Sequence, residues 1–240
     1  MVGLLFQHDS YVREFEATIQ RVDGLKIFLD QTAFHPGPSG GLDTDKGFFE
    51  LPDGERVEVL QAVEENNDVA HIVSENPGLK PGDRLRGVID WERRYKMMRL
   101  HTASHVLLAV LYRLYGALVT GGHITPEGAR DDFDLSGVED WKKAVTDAVK
   151  EANRILKECK EVKVYWLPRE DALKIRGIVK LADRLPPDVH EIRVVEIPGV
   201  DIQADGGPHV KNTCEVGYIV LQRLESKGAR RKRAYYTLEL

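Results

Sequence analysis

From residue 11 to residue 90 the chain alternates apolar and polar positions in short runs separated by turn residues. Phe15, Ala17 and Ile19 alternate with polar neighbours. An apolar run at 25–29 follows Asp23-Gly24, and Val57 and Val59 follow Pro52-Asp53-Gly54. Val69 to Val73, the turn Asn76-Pro77-Gly78, and Leu85, Gly87 and Ile89 complete the stretch. Period-two runs bounded by Gly, Pro, Asn and Asp read as strands, and six or so of them suggest a small β-barrel of about 90 residues. The pattern then changes. Residues 93–116 contain no proline and no internal glycine, are rich in Leu and Met, and end at Gly116, which predicts a helix with a glycine cap. A second helix is expected over 136–160. Ser136 and Glu139 have capping-box spacing there, and Trp141, Val145, Ala148, Ala152 and Ile155 recur at helical intervals. Val162, Val164 and Trp166 read as a strand, 171–179 as a short helix, and 192–197 as a further strand. Runs at 218–224 and 234–238 read as a hairpin turning near Lys227-Gly228. The chain is thus expected to be α+β: a β-barrel domain over 1–92, then an α+β domain over 93–240 with a largely antiparallel sheet.

Composition narrows the class. With 240 residues, 42% hydrophobic and 30% charged, the chain can bury a sizeable core under a heavily charged surface. The apolar run at residues 2–6 is too short for a signal peptide, and the longest apolar stretch, 106–119, is broken by Arg113. A net charge of -5 argues against indiscriminate coating of nucleic acid, though not against a grip on one RNA end through local basic patches. The two cysteines, Cys159 and Cys214, are too few for a disulfide framework and fit a reducing compartment. The expectation is a cytoplasmic protein.

Candidate chemistry begins with His101 and His105. Four residues apart inside the first helix, they project from one face, the spacing a helix uses to chelate a metal ion. Thr102, Ala103 and Ser104 separate them, so the glutamate base of an H-E-x-x-H metalloprotease is missing. The second element is Asp205-Gly206-Gly207-Pro208-His209, whose glycines allow a sharp turn that lets Asp205 and His209 converge. Read alone it is a glycine turn with a solvated carboxylate. Added to His101 and His105 it completes three imidazoles and one carboxylate, a sufficient set for Zn²⁺. Asp205 and His209 are also the candidate catalytic groups.

Together, Ile89-Asp90-Trp91, His101-Thr102-Ala103-Ser104-His105, Arg130-Asp131-Asp132-Phe133-Asp134 and 205–213 resemble the editing domain of alanyl-tRNA synthetase. No synthetase core accompanies them, so the chain resembles the free-standing alanyl-tRNA editing proteins of the AlaX family. The segment 31–41, with Gly37, Gly40 and Gly41, is similar to that family's glycine-rich segment. The resemblance implies zinc-dependent hydrolysis of the ester joining a mistaken serine, or glycine, to the terminal adenosine of alanine tRNA. It also implies a zinc site at His101, His105, position 205 and His209, and a partner in the tRNA acceptor end. No membrane and no obligate protein partner are implied. Two departures stand out: position 205 is Asp where the family has Cys, and Leu42 stands where the family's segment carries Gln.

Thr32 matches a threonine that is a candidate in the family to sense the serine hydroxyl; its competing role is that of an ordinary β-branched strand residue. Gly40 and Gly41 either bring backbone close to the adenosine end or form a turn. Arg93, Arg94, Lys96 and Arg99 are candidates to hold tRNA phosphates, against the alternative of a solvated helix end. The run at 230–233 is more simply a solvated turn. His35, His71, His123 and His190 are more simply surface or core residues. Cys214, five residues past His209, is a candidate stray ligand. The competing function is a non-catalytic tRNA-binding module with a structural zinc.

Overall fold

The computed structural model describes residues 2–180 and 189–239. The chain divides into two compact units, Met1–Met97 and Met98–Leu240. The first holds a closed barrel of six strands. In spatial order these are Glu14–Asp23, Lys26–Leu29, Asp68–Val73, Arg56–Glu65, Gly47–Glu50 and Arg84–Ile89, the last returning to the first, with antiparallel pairing throughout. Closure leaves no unpaired strand edge. The alternation puts Phe15, Ile19, Ile27, Leu29, Val57, Val59 and Val73 into the interior with Phe34 and Phe49. Strand Gly47–Glu50 lies outside the five runs named from the sequence, because four residues are too few to show a period.

His71 belongs to this interior and has no accessible surface. Its Nδ1 donates to the Ile27 carbonyl (2.9 Å), which leaves Nε2 to accept from the Thr32 hydroxyl (2.8 Å). Burial pushes its pKa down from 6.5 to about 4, so the folded barrel holds it neutral. The unfolded chain therefore binds a proton that the folded one refuses between those values. The stability this group contributes is fully present above 6.5 and is lost as pH falls toward 4. Urea denaturation should show the parent losing roughly 2–3 kcal/mol more than His71→Asn between pH 7 and 4.5. Parallel pH profiles for the two proteins would contradict this.

The helix Trp91–Tyr115 begins in the first unit and continues into the second. Gly116 ends it at φ +65°, with its N–H bonded to the Tyr112 carbonyl. The second unit has two antiparallel sheets. One runs in the order Tyr218–Ser226, Arg231–Glu239, Gly128–Asp134, Val119–Thr125; the other runs Lys163–Pro168, Glu191–Ile197, Asp201–Ala204. The C-terminal hairpin turns at Lys227 and Gly228 as expected, and the whole is α+β. The hairpin Val119–Thr125 with Gly128–Asp134 lies outside the expected elements.

Three details correct the sequence reading. The second helix is Trp141–Leu156 rather than 136–160, and its cap is Asp140, whose carboxylate accepts from Lys143 N–H. The Ser136 hydroxyl instead bonds the Asp134 carboxylate (2.9 Å), so it cannot cap. The helix expected over 171–179 is the single turn Arg169–Ala172 followed by i→i+3 turns, ending at Gly177 with φ +79°. Cys159 and Cys214, 55 residues apart, are joined in a disulfide with Cα atoms 4.7 Å apart. One bridge is not a framework, but it runs against the reading of the two cysteines as thiols of a reducing compartment, and it takes up Cys214 and removes it as a ligand. Among the described residues no helix is long and apolar enough to cross a membrane.

Candidate metal centre

The helical register places His101 and His105 one turn apart, and the loop after strand Asp201–Ala204 brings Asp205 and His209 to them. All three imidazoles are buried. Each turns its Nε2 toward the Asp205 carboxylate: His101 at 3.5 Å, His105 at 3.6 Å and His209 at 3.4 Å. The four ligand atoms lie within 4.8 Å of one another. Direct N–H···O hydrogen bonds would close to 2.7–3.2 Å. Ligands bonded at roughly 2.0–2.2 Å to one tetrahedral ion stand roughly 3.3–3.6 Å apart, a range that includes the three imidazole–carboxylate distances, with His101 and His105 meeting Oδ2 and His209 meeting Oδ1. The donor set and its spacing fit zinc.

Each ring's Nδ1 has its own partner on the far side: the Pro208 carbonyl for His101 (3.3 Å), Asp201 for His105 (3.0 Å) and the Thr102 hydroxyl for His209 (3.0 Å). Burial pushes the Asp205 carboxyl up, but the electrostatic attraction of His101 and the close approach of all three imidazoles outweigh it and hold Asp205 well below the usual range. Burial, with His101 and His105 beside it, drives His209 well below its usual value. An anionic carboxylate among imidazoles, one of them held neutral, is an arrangement suited to a divalent cation.

The loop is held by its neighbours. Arg193, on strand Glu191–Ile197, donates from Nη1 to the carbonyls of Asp205 (2.8 Å) and Gly207 (3.0 Å). The Gly207 N–H donates to Asp205 Oδ1 (2.7 Å), closing an Asx-type turn. At Gly207 the need for glycine is close approach: a Cβ there would sit 2.7 Å from His101 Cε1 and 3.1 Å from its Nδ1. Gly207→Ala must therefore displace that ring. Zinc affinity should fall by about 10-fold or more with the circular dichroism of the helices unchanged, since sites tolerate only small misplacement. Unchanged affinity would mean that the loop absorbs the methyl group elsewhere.

Comparison with known proteins bears on this site. Residues 192–235 match the family model described as the threonyl and alanyl tRNA synthetase second additional domain, a stretch that contains the Asp205–His209 loop. The alanyl-tRNA editing protein AlaX-M of Saccharolobus solfataricus is 52% identical over 240 residues, covering all of both chains. The AlaX-M protein of Methanosarcina acetivorans is 38% identical over 99% of each chain. The chain belongs to the AlaX-M family of alanyl-tRNA editing proteins. The alanine–tRNA ligase of Pyrococcus abyssi is 39% identical over 92% of this chain and 24% of its own length.

Within this AlaX-M fold the other expected residues occupy varied places. Thr32 lies on the two-residue strand Gln31–Thr32, paired in parallel with Gly3–Leu4. It is fully buried, donates to His71 and accepts from Phe34 N–H (3.1 Å). These bonds tie its hydroxyl to the interior of the first unit. Gly40 and Gly41, at φ +60° and +90°, form the centre of a tight turn closed by mutual hydrogen bonds between Ser39 and Leu42. Positive φ at both central positions is what a type I′ turn demands. Leu42, which closes this turn, is fully buried.

The four basic residues of the long helix separate. Arg94 is 0% exposed: Nε donates to both Asp45 oxygens at 3.0 Å, Nη1 to the Ser10 carbonyl and Nη2 to the Ala33 carbonyl. Its expected contact with phosphate is excluded, because a buried ion pair takes its donors. Arg93 is engaged by Asp43 and the Thr44 carbonyl, and Arg99 by the Val216 carbonyl. Lys96 is exposed and paired with Glu92. In the run at 230–233, Arg230 pairs with Asp134 and Arg233 with Asp132, so much of its charge is neutralised locally. Sequence reasoning missed Lys180, Arg193, Asp201, Gln203 and Thr102. Only the alternation Asp201-x-Gln203-x-Asp205, polar residues at strand period, hinted at them.

Proposed function

We propose that this chain is a trans-acting, zinc-dependent aminoacyl-tRNA deacylase of the cytoplasm, hydrolysing the ester between a mistaken serine, and secondarily glycine, and the terminal adenosine of alanine tRNA. The observation that carries the reading is the convergence of three Nε2 atoms on the Asp205 carboxylate at 3.4–3.6 Å, in a chain whose full-length relatives are named alanyl-tRNA editing proteins. His101, His105, Asp205 and His209 would hold the ion. A zinc ion in such a site supplies Lewis acidity, which lowers the pKa of water and polarises a carbonyl oxygen. The protein's part is to orient. Three imidazoles are locked from behind, and the Arg193-pinned loop carries Asp205 and His209. Of the four side chains Asp205 keeps the most exposure, 17% against 1–7% for the imidazoles, so the ester approaches from the Asp205 side. In the reaction the water oxygen bonds to the acyl carbon, the ester C–O bond breaks, and the ribose oxygen leaves with a proton.

A second reading has one observation in its favour: four protein donors fill a tetrahedral site, as structural zinc sites do. Single-turnover assays with Ser-tRNA(Ala) and Ala-tRNA(Ala) decide between them. The deacylase reading expects the serine ester to be hydrolysed well ahead of the alanine ester, with loss of activity after chelation and recovery with zinc. A zinc-loaded protein that binds the tRNA yet releases no serine above the uncatalysed rate supports the binding module.

A further inference from the structure

Behind His105 lies a buried polar group that the proposed chemistry does not use. Asp201 and Lys180 are both buried, and so is Gln203. The Asp201 carboxylate is shared in two directions. Oδ1 accepts from Lys180 Nζ at 2.6 Å; Oδ2 accepts from Gln203 Nε2 at 2.8 Å and from His105 Nδ1 at 3.0 Å. Lys180 also donates to the Ile202 carbonyl (2.9 Å), so its ammonium is anchored. Gln203 Nε2 stands 3.2 Å from His105 Nδ1, and with both nitrogens donating to Asp201 the pair are neighbours, not partners.

A neutral imidazole carries one proton, and only its bare nitrogen can bind a metal ion. We propose that Asp201 is a positioning residue that fixes His105 as the Nδ1–H tautomer with a bare Nε2, and that Lys180 fixes which oxygen of Asp201 faces His105. The proposal rests on His101, His105, Asp205 and His209 being the metal ligands. A carboxylate suits this place because both of its ends accept. A carboxamide accepts at one end and donates at the other. In Asp201→Asn the buried Lys180 ammonium claims the amide oxygen, and the NH₂ end turns to His105. An amide N–H facing Nδ1 selects the opposite tautomer, with the proton on Nε2 where the metal should be. Removing the ammonium releases the oxygen to rotate back.

The test is zinc affinity, measured by competition with a chromophoric chelator on the full chain, with circular dichroism as the check on folding. The parent should bind about one zinc per chain. Asp201→Asn should bind 10–100-fold more weakly. Lys180→Met combined with Asp201→Asn should recover much of that loss although it carries one substitution more, a recovery that a merely structural role would not produce. A folded Asp201→Asn that matches the parent, or a double variant weaker than the single one, overturns the proposal. Long-range ¹H–¹⁵N spectra of the metal-free parent, at a pH where His105 is neutral, decide the matter even if the variants fail to fold: His105 should show Nδ1–H before any metal is added, and a His105 carrying its proton on Nε2 overturns the proposal. A parent that takes up no zinc defeats the metal reading itself, a result distinct from either of these.

Discussion

Replacing His101 and His105 together with alanine is expected to abolish zinc uptake and serine release while leaving the long helix in place. Both imidazoles come from one helix face and their Nε2 atoms stand 3.5 and 3.6 Å from the same Asp205 oxygen, so the double variant removes half the donors. Structural zinc sites contribute roughly 10–16 kcal/mol, so the loss of two ligands of four should weaken binding by well over roughly 1000-fold. The helix should survive because alanine is the best helix former and Gly116 still caps its end. Two buried rings vanish, so a modest fall in melting temperature is expected beside the loss of metal. Elemental analysis after dialysis is the measurement. Full zinc retention would sink the proposed centre.

The Asp205 series should produce the next largest effect. A carboxylate is a harder donor than a thiolate, so zinc should bind less tightly here than in a Cys-containing site, and harder ions such as Mn²⁺ should compete better. Asp205→Cys should tighten zinc and narrow the choice of metal. Asp205→Ala should weaken zinc by on the order of 100-fold, with three histidines still able to hold some. The structure sharpens this expectation, because the carboxylate points at all three Nε2 atoms rather than away from them. Suppose instead that Asp205→Ala binds zinc like the parent yet hydrolyses the ester far more slowly. Asp205 would then be a general base and not a ligand.

The parts of this molecule that were legible in the sequence are those governed by local periodicity. Alternation at period two marked most of the barrel strands, since in a closed barrel each strand has one buried face and its pattern repeats within a few residues. The helical repeat likewise placed His101 and His105 on one face without reference to anything distant. The Gly-Gly loop showed that Asp205 and His209 could converge, because that depends on backbone freedom within five residues.

What failed was decided between segments far apart. The hairpin Val119–Thr125 and Gly128–Asp134 did not read as strands, since Gly121-Gly122 and Asp131-Asp132 both disfavour them. Paired across the sheet they fit: Gly122 leaves room for the Asp131 carboxylate, whose oxygen would lie 3.1 Å from any Cβ placed there. Ser136 was the expected cap, but with Asp134 engaging the serine the helix is capped by Asp140 instead. Arg94 looked like a phosphate contact until Asp45, 49 residues away, met it in the interior. Nothing near Thr32 in the sequence showed that its hydroxyl would bond His71, 39 residues on.

By itself, then, the sequence determined most of the barrel strands, the long helix and the donor types of the centre, because repeat and residue chemistry act over one or two turns of chain. The tertiary structure alone decided which nitrogen each histidine presents, which charges are buried and which cysteines meet. Those outcomes depend on partners such as Asp201 for His105, Asp45 for Arg94 and Cys159 for Cys214, tens of residues away and brought into contact only when the chain packs.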